Sequence, residues 1–131
     1  MRDSLQLDPD FRLMAYAING PLNVGLVVGA GVTGTASFTI NDNLFQALRM
    51  MYAATNPLLR IQITGKRGAI FAAPILIGTL AGVAGGAFPV PIVPGMLTFL
   101  PRETITVDFI DFSGFANTVF FSVIGREKVG S

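Results

Sequence analysis

The chain has no histidine and no cysteine. Without histidine it lacks the side chain whose ordinary pKa best suits proton transfer near neutrality, and the commonest metal ligand with it. Without cysteine there can be no disulfide, no thiolate nucleophile and no thiolate metal site. Tryptophan is absent and tyrosine occurs twice, which leaves few platforms for stacking sugar rings. Charge is scarce as well: Asp, Glu, Lys and Arg make up 13% of the 131 residues, about half the share usual in a soluble domain. Net charge is +1, and Lys66-Arg67 and Arg126-Glu127-Lys128 are the only local basic groupings. That pattern offers no stripe to follow a nucleic-acid backbone, so nucleic acid is not an expected partner.

What is present is apolar. Hydrophobic residues reach 51%, with eleven Phe, in a length suited to one domain with one core. A surface so poor in charge does not coat a free monomer; its excess apolar area belongs at an oligomer interface, a partner or a membrane. Residues 1–12 are polar and are expected to form an N-terminal arm, 13–125 a single β domain, and 126–131 a short charged tail. Residues 1–10 have no apolar run of the secretory type, so cytosolic synthesis is expected.

Periodicity points to a mainly β fold. Ala36, Phe38 and Ile40 alternate with Thr35, Ser37 and Thr39, the two-residue period of a half-buried strand. Shorter apolar runs at 13–18, 22–28 and 58–64 read as further strands, and Gly65-Lys66-Arg67-Gly68 as a turn into a return strand over 69–73. Leu44, Phe45, Leu48, Met51 and Tyr52 recur at helical spacing behind Asn41-Asp42-Asn43, which predicts one α-helix of about three turns over 42–54. Near the C-terminus Ile105, Val107 and Phe109 alternate with Thr104, Thr106 and Asp108. After Ser113-Gly114, Val119, Phe121 and Val123 alternate with Thr118, Phe120 and Ser122. The two runs predict a β-hairpin with one wholly apolar face and one mixed face carrying Ile110, Phe112, Phe120 and Ile124. Residues 74–101 combine Pro74, Pro89, Pro91, Pro94 and Pro101 with several glycines and no charge, which predicts a long Pro/Gly-rich apolar loop.

Several motifs suggest chemistry and fail on context. Gly29-Ala30-Gly31-Val32-Thr33-Gly34 matches G-x-G-x-x-G, yet the residues after it alternate as a strand where a dinucleotide site needs a helix. No acid lies between Asp42 and Glu103 to hold a ribose. A glycine-rich turn is the better account. Gly68 to Phe88 is 21 residues without charge, long enough for a membrane helix. Pro74, the glycine load and the missing aromatic or basic edge argue against a span. Asp108 and Asp111, three apart on a strand, fall on opposite faces and make poor catalytic partners; a solvated sheet edge accounts for both. Asn41-Asp42-Asn43 and Asp8-Pro9-Asp10 lack the twelfth-position glutamate of a calcium loop and read as caps and turns. No catalytic constellation, cofactor site or metal site emerges, and the chain is not expected to be an enzyme.

From Thr35 onward the chain resembles small structural proteins encoded in the virion gene clusters of tailed phages. The resemblance is carried by Ala36-Ser37-Phe38-Thr39-Ile40 with Asn43-Leu44-Phe45, and by Arg60-Ile61-Gln62-Ile63-Thr64 leading to Phe71-Ala72-Ala73-Pro74-Ile75. Phe99-Leu100-Pro101-Arg102-Glu103-Thr104-Ile105-Thr106-Val107, Asp111-Phe112-Ser113-Gly114-Phe115-Ala116-Asn117 and Phe121-Ser122-Val123-Ile124-Gly125-Arg126 complete it. The segment 76–88 is richer in glycine and apolar residues than that pattern. The resemblance implies a compact antiparallel β-sandwich or barrel that decorates or cements a capsid or builds the neck or tail. It would be located in the virion and would need no cofactor. Its implied partners are further copies of itself, as a homo-oligomer, and the major capsid or other virion proteins. The expected interface residues are Phe88, Val90, Ile92, Val93, Met96, Leu97 and Phe99 in the loop, with Ile110, Phe112 and Phe120 on the mixed face. Two other classes fit the composition: a membrane-associated protein using 68–88 as a span, and a carbohydrate-binding or host-recognition β-sandwich.

Overall fold

A computed structural model describes residues 10–18, 25–56, 58–77 and 97–129. Among them the chain is mainly β: β1 (Phe11–Ala17), β2 (Leu26–Val28), β3 (Thr33–Thr39), β4 (Phe45–Ala54), β5 (Leu59–Gly65), β6 (Gly68–Ala69), β7 (Ile75–Leu76), β8 (Thr98–Phe99), β9 (Thr104–Asp111) and β10 (Asn117–Lys128). They form two antiparallel sheets. The first has the order β1-β10-β4-β8, with β2 on β10 beyond the end of β1; the second has the order β3-β9-β5-β6, with β7 on β5. The inward side chains of both sheets make one core in a β-sandwich, as the alternation predicts. Ile61, Ile105, Val107 and Phe109 enter it from the second sheet, and Phe45, Met50, Val119, Phe121 and Val123 from the first.

The predicted C-terminal hairpin is not formed. β9 pairs with β3 and β5, whereas β10 pairs with β1, β2 and β4. The two alternating runs are strands with the expected inward residues, but the link 112–116 carries the chain across the core from one sheet to the other. Alternation fixes which side chains face inward, and it is satisfied equally by a neighbour in the same sheet or a strand facing it across the core. The two halves of the supposed mixed face therefore look outward on opposite sides of the molecule.

The helix expected over 42–54 is also a strand. In β4 the buried side chains are Phe45, Ala47, Met50 and Tyr52. Opposite β10, Ala47 pairs with Gly125 and Arg49 with Ile124, so Leu48 is an extra residue in a β-bulge. The bulge switches the inward parity from odd to even positions. Apolar intervals of two, three and two then add to seven, which imitates two helical turns.

Smaller boundaries shift too. β1 begins at Phe11 and β10 continues to Lys128, so residues 11–12 belong to the sheet and not to an arm, and 126–128 are strand and not tail. The return strand after the Gly65–Gly68 turn is short. Gly68 and Ala69 pair with β5, the Ile70 N–H donates to the Ile63 carbonyl at 2.8 Å, and the Gln62 side chain then holds Phe71, accepting from its N–H at 3.1 Å and donating to its carbonyl at 2.8 Å. Within the uncharged 68–88 segment, residues 68–69 and 75–76 form β6 and β7, both paired to β5, and 78–88 lie outside the described residues. No helix among the described residues is long and apolar enough to cross a membrane.

Candidate interaction surfaces

The polar groups that sequence alone offers for chemistry are used to fasten the two ends of the sandwich. At one end Asp111 is 3% exposed and not at a solvated edge. One carboxylate oxygen accepts from the Gly31 N–H at 2.7 Å and the Gly114 N–H at 3.2 Å. The other accepts from the Ser113 N–H at 3.1 Å and the Ser113 hydroxyl at 2.6 Å. The Gly31 bond leads the causes that hold the Asp111 carboxyl below the usual carboxylate range; the Ser113 hydroxyl follows, and burial opposes them. Residues 29–32 thus form the turn from β2 into β3, with Gly31 at φ 68°, where a left-handed backbone suits glycine, and Thr33 and Gly34 already belong to β3. Asn117 and Asn56 close the same end by exchanging side-chain to backbone hydrogen bonds of 2.6 and 3.1 Å.

At the other end Glu127 is fully buried and pairs with Arg12, while the Asn41 amide donates to it at 2.8 Å. Burial alone would raise the Glu127 carboxyl, but the hydrogen bonds from Asn41 and Arg12, the Arg12 charge and a bond from Asn43 hold it below its ordinary value. The Tyr16 hydroxyl accepts from the Asn41 N–H at 3.0 Å. Burial raises that phenol's pKa against this bond, helped by the Glu127 charge. Asn41 also accepts the Asn43 N–H at 2.9 Å, so the Asn41-Asp42-Asn43 segment is a side-chain-closed turn between β3 and β4, not a helix cap.

The two outer faces differ in chemistry. On the second sheet Thr33, Thr35, Ser37, Thr104 and Thr106 look outward, and the Thr35 hydroxyl donates to Asp108 at 2.6 Å. Asp108 and Asp111 are on opposite faces, as their spacing requires. The outer face of the first sheet is apolar with a basic rim. Leu13, Leu48, Met51 and Ile124, with the aliphatic part of Arg49, line a groove of about 470 Å³. Leu13 is 61% exposed and Met51 37%. Arg126 donates to the Gln46 side chain at 2.7 Å and lies over the Phe11 ring at 4.3 Å. Among the described residues, those turned outward from β1, β4 and β10 include no carboxylate.

The interface residues expected from sequence are not brought together. Phe88, Val90, Ile92, Val93 and Met96 lie outside the described residues. Phe99 is a core residue at 3% exposure, stacked on Phe45 with ring centroids 6.4 Å apart, and Leu97 packs against the same core. Ile110 is half-buried on the outer face of the second sheet, and Phe112 is 43% exposed beside Arg60, whose guanidinium is 5.1 Å from its ring. Phe120 is 37% exposed on the opposite side of the molecule, on the first sheet's outer face, where Ile124 also lies. Sequence reasoning missed Leu13 and Met51. Met51 recurs in the sequence at helical spacing with Leu44 and Leu48, which hides its outward place on a strand, and Leu13 stands on an edge strand whose neighbours the sequence does not name.

A second recess, of about 520 Å³, runs along the seam between edge strands β1 and β3. Ala15, Tyr16, Ala17, Ser37, Phe38 and Thr39 line it, with the stacked Tyr16 and Phe38 rings 5.5 Å apart.

No family model matches the chain, and no curated protein matches it. Among solved structures it is similar to dimeric latent PorU from Porphyromonas gingivalis at 13% identity with a TM-score of 0.39, over 93% of this chain and 13% of that one. A likeness of that size carries neither a fold family nor a function.

Proposed function

We propose that this chain is a non-enzymatic structural subunit of a phage particle. In this proposal a single β domain assembles with copies of itself and with the major capsid protein or another virion protein. It decorates or stabilises the capsid, or forms part of the neck or tail. The observation that supports an assembly role most directly is the outer face of the first sheet, where exposed Leu13 and Met51 line an apolar groove and Phe120 is exposed on the same face, in a chain with 13% charged residues. A solitary domain has little reason to keep such a face in water. An interface of about 800 Å² per partner, roughly half apolar, yields about 20 kcal/mol at 25 cal/mol per Å², above the association cost of about 4–15 kcal/mol. The phage assignment itself rests on the resemblance of residues 35–126.

The test is quantitative mass spectrometry of extensively washed particles. The expected result is a fixed ratio of this chain to the major capsid protein that survives high salt. Recovery only in the soluble fraction, or only with lipid, would overturn the proposal.

A further inference from the structure

Among the described residues the outer edge of β1 is a free hydrogen-bonding edge of an unusual kind. The Ile18 N–H donates to the Phe121 carbonyl at 3.1 Å and the Val129 N–H to the Asp10 carbonyl at 2.8 Å, in the same register that pairs Phe11 with Lys128 and Ala17 with Ser122. In an antiparallel ladder, bonded pairs alternate with non-bonded ones. Even-numbered residues of β1 therefore spend their backbone groups on β10, and Phe11, Leu13, Ala15 and Ala17 turn theirs outward. Among the described residues no strand pairs with that edge.

Natural edges of this length are usually blunted by proline, lysine, a bulge or an inward charge. β1 contains none of the first three, and Arg12 is engaged by Glu127. The corresponding edge of β3 is dressed with Thr35, Ser37 and Thr39, and β2 closes over its start, where Gly34 lies against Val28 and Leu26.

We infer that β1 pairs antiparallel with β1 of a second copy of this chain, centred on Met14, so that the first sheet runs continuously through a two-fold dimer. This register sets Phe11 opposite Ala17 and Leu13 opposite Ala15, each twice by symmetry, with two N–H···O bonds per pairing. It is the only alignment that uses all four outward-facing residues. A shift of one residue opposes free groups to groups already bonded to β10, and a shift of two leaves residues at each end unpaired. Each pairing also sets a large outward side chain against a small one, which covers Leu13 without a clash. The inference deepens the assembly reading and rests on it, but it concerns only the contact between copies.

The chain has no cysteine, so single-cysteine variants report the register directly. Leu13→Cys and Ala15→Cys proteins, mixed and mildly oxidised at full length, should form the mixed disulfide dimer at least tenfold over either like pair, because bonded antiparallel partners sit about 5.5 Å apart between Cα atoms. Ala15→Pro removes an N–H that makes no bond to β10, so it should keep the far-UV circular dichroism while weakening dimerisation at least tenfold by analytical ultracentrifugation. Equal yields of all three disulfides, a monomeric wild-type chain at every concentration, or an Ala15→Pro variant that dimerises normally would each overturn the inference. A chain present in particles at fixed copy number without the mixed disulfide would sink this pairing and leave the subunit proposal standing.

Discussion

Gly125 packs directly against the backbone carbonyl of Gln46. A Cβ at that position would overlap the oxygen and approach the buried Phe45 ring to 2.8 Å. The contact lies beside the β4 bulge, where the ladder passes from Ala47 to Arg49. Neither a ladder carbonyl nor a fully buried ring gives way cheaply. Gly125→Ala should therefore cost about 2–4 kcal/mol, read from the midpoint of chemical denaturation. An unchanged midpoint would mean the bulge relaxes freely.

The sandwich should weaken in acid through Asp111 and Glu127. Both carboxyls sit below their ordinary values in the folded chain. Their contribution is thus complete above the unfolded pKa values of about 4, and is lost as pH falls through the folded values. Asp111→Asn replaces one acceptor oxygen by an amide that cannot accept from the N–H groups or the hydroxyl around it. The variant should melt lower at pH 7, and its melting temperature should fall less steeply between about pH 4 and 2 than that of the wild type. Parallel melting curves across that range would assign the acid limb to other groups.

Phe99 and Phe112 look alike in sequence and should behave oppositely. Phe99 is buried against Phe45, so Phe99→Asp places a charge in the core and should cost more than about 4 kcal/mol, a large part of a small domain's stability. Phe112 is exposed and touches Arg60, so Phe112→Asp should cost less than about 1 kcal/mol. Thermal melts of the two variants read this directly, and similar losses in both would contradict the burial pattern.

Which parts of this fold are legible in sequence follows from what alternation encodes. The inward residues of β3, β9 and β10 can be read from their two-residue period. Their pairing cannot, because Phe109 and Phe121 meet across the core at 5.6 Å between ring centroids and not along one sheet. β4 is misread because one extra residue, Leu48, converts a strand period into a helical one. The role of Asp111 is hidden because its chief donor, the Gly31 N–H, is 80 residues away in the chain. The apolar outer face of the first sheet is assembled from β1, β4 and β10, so it exists only once those three distant segments lie side by side.

That face supplies the last prediction. Met51 is outward-facing and 37% exposed in the groove with Leu13 and Ile124. Met51→Glu introduces a carboxylate beside Arg49, where no core contact is lost, and its effect on folding should stay within about 0.5 kcal/mol. Thr106→Glu makes the same change on the hydroxyl-lined face of the second sheet and serves as the control. If the first sheet's outer face is the assembly surface, Met51→Glu should reduce the chain's copy number in purified particles more than tenfold, because a charge buried at an interface without a partner costs several kcal/mol. Thr106→Glu should leave it unchanged. The comparison discriminates because both variants carry the same added charge on the same fold. A loss with Thr106→Glu and full occupancy with Met51→Glu would move the assembly surface to the opposite side of the sandwich.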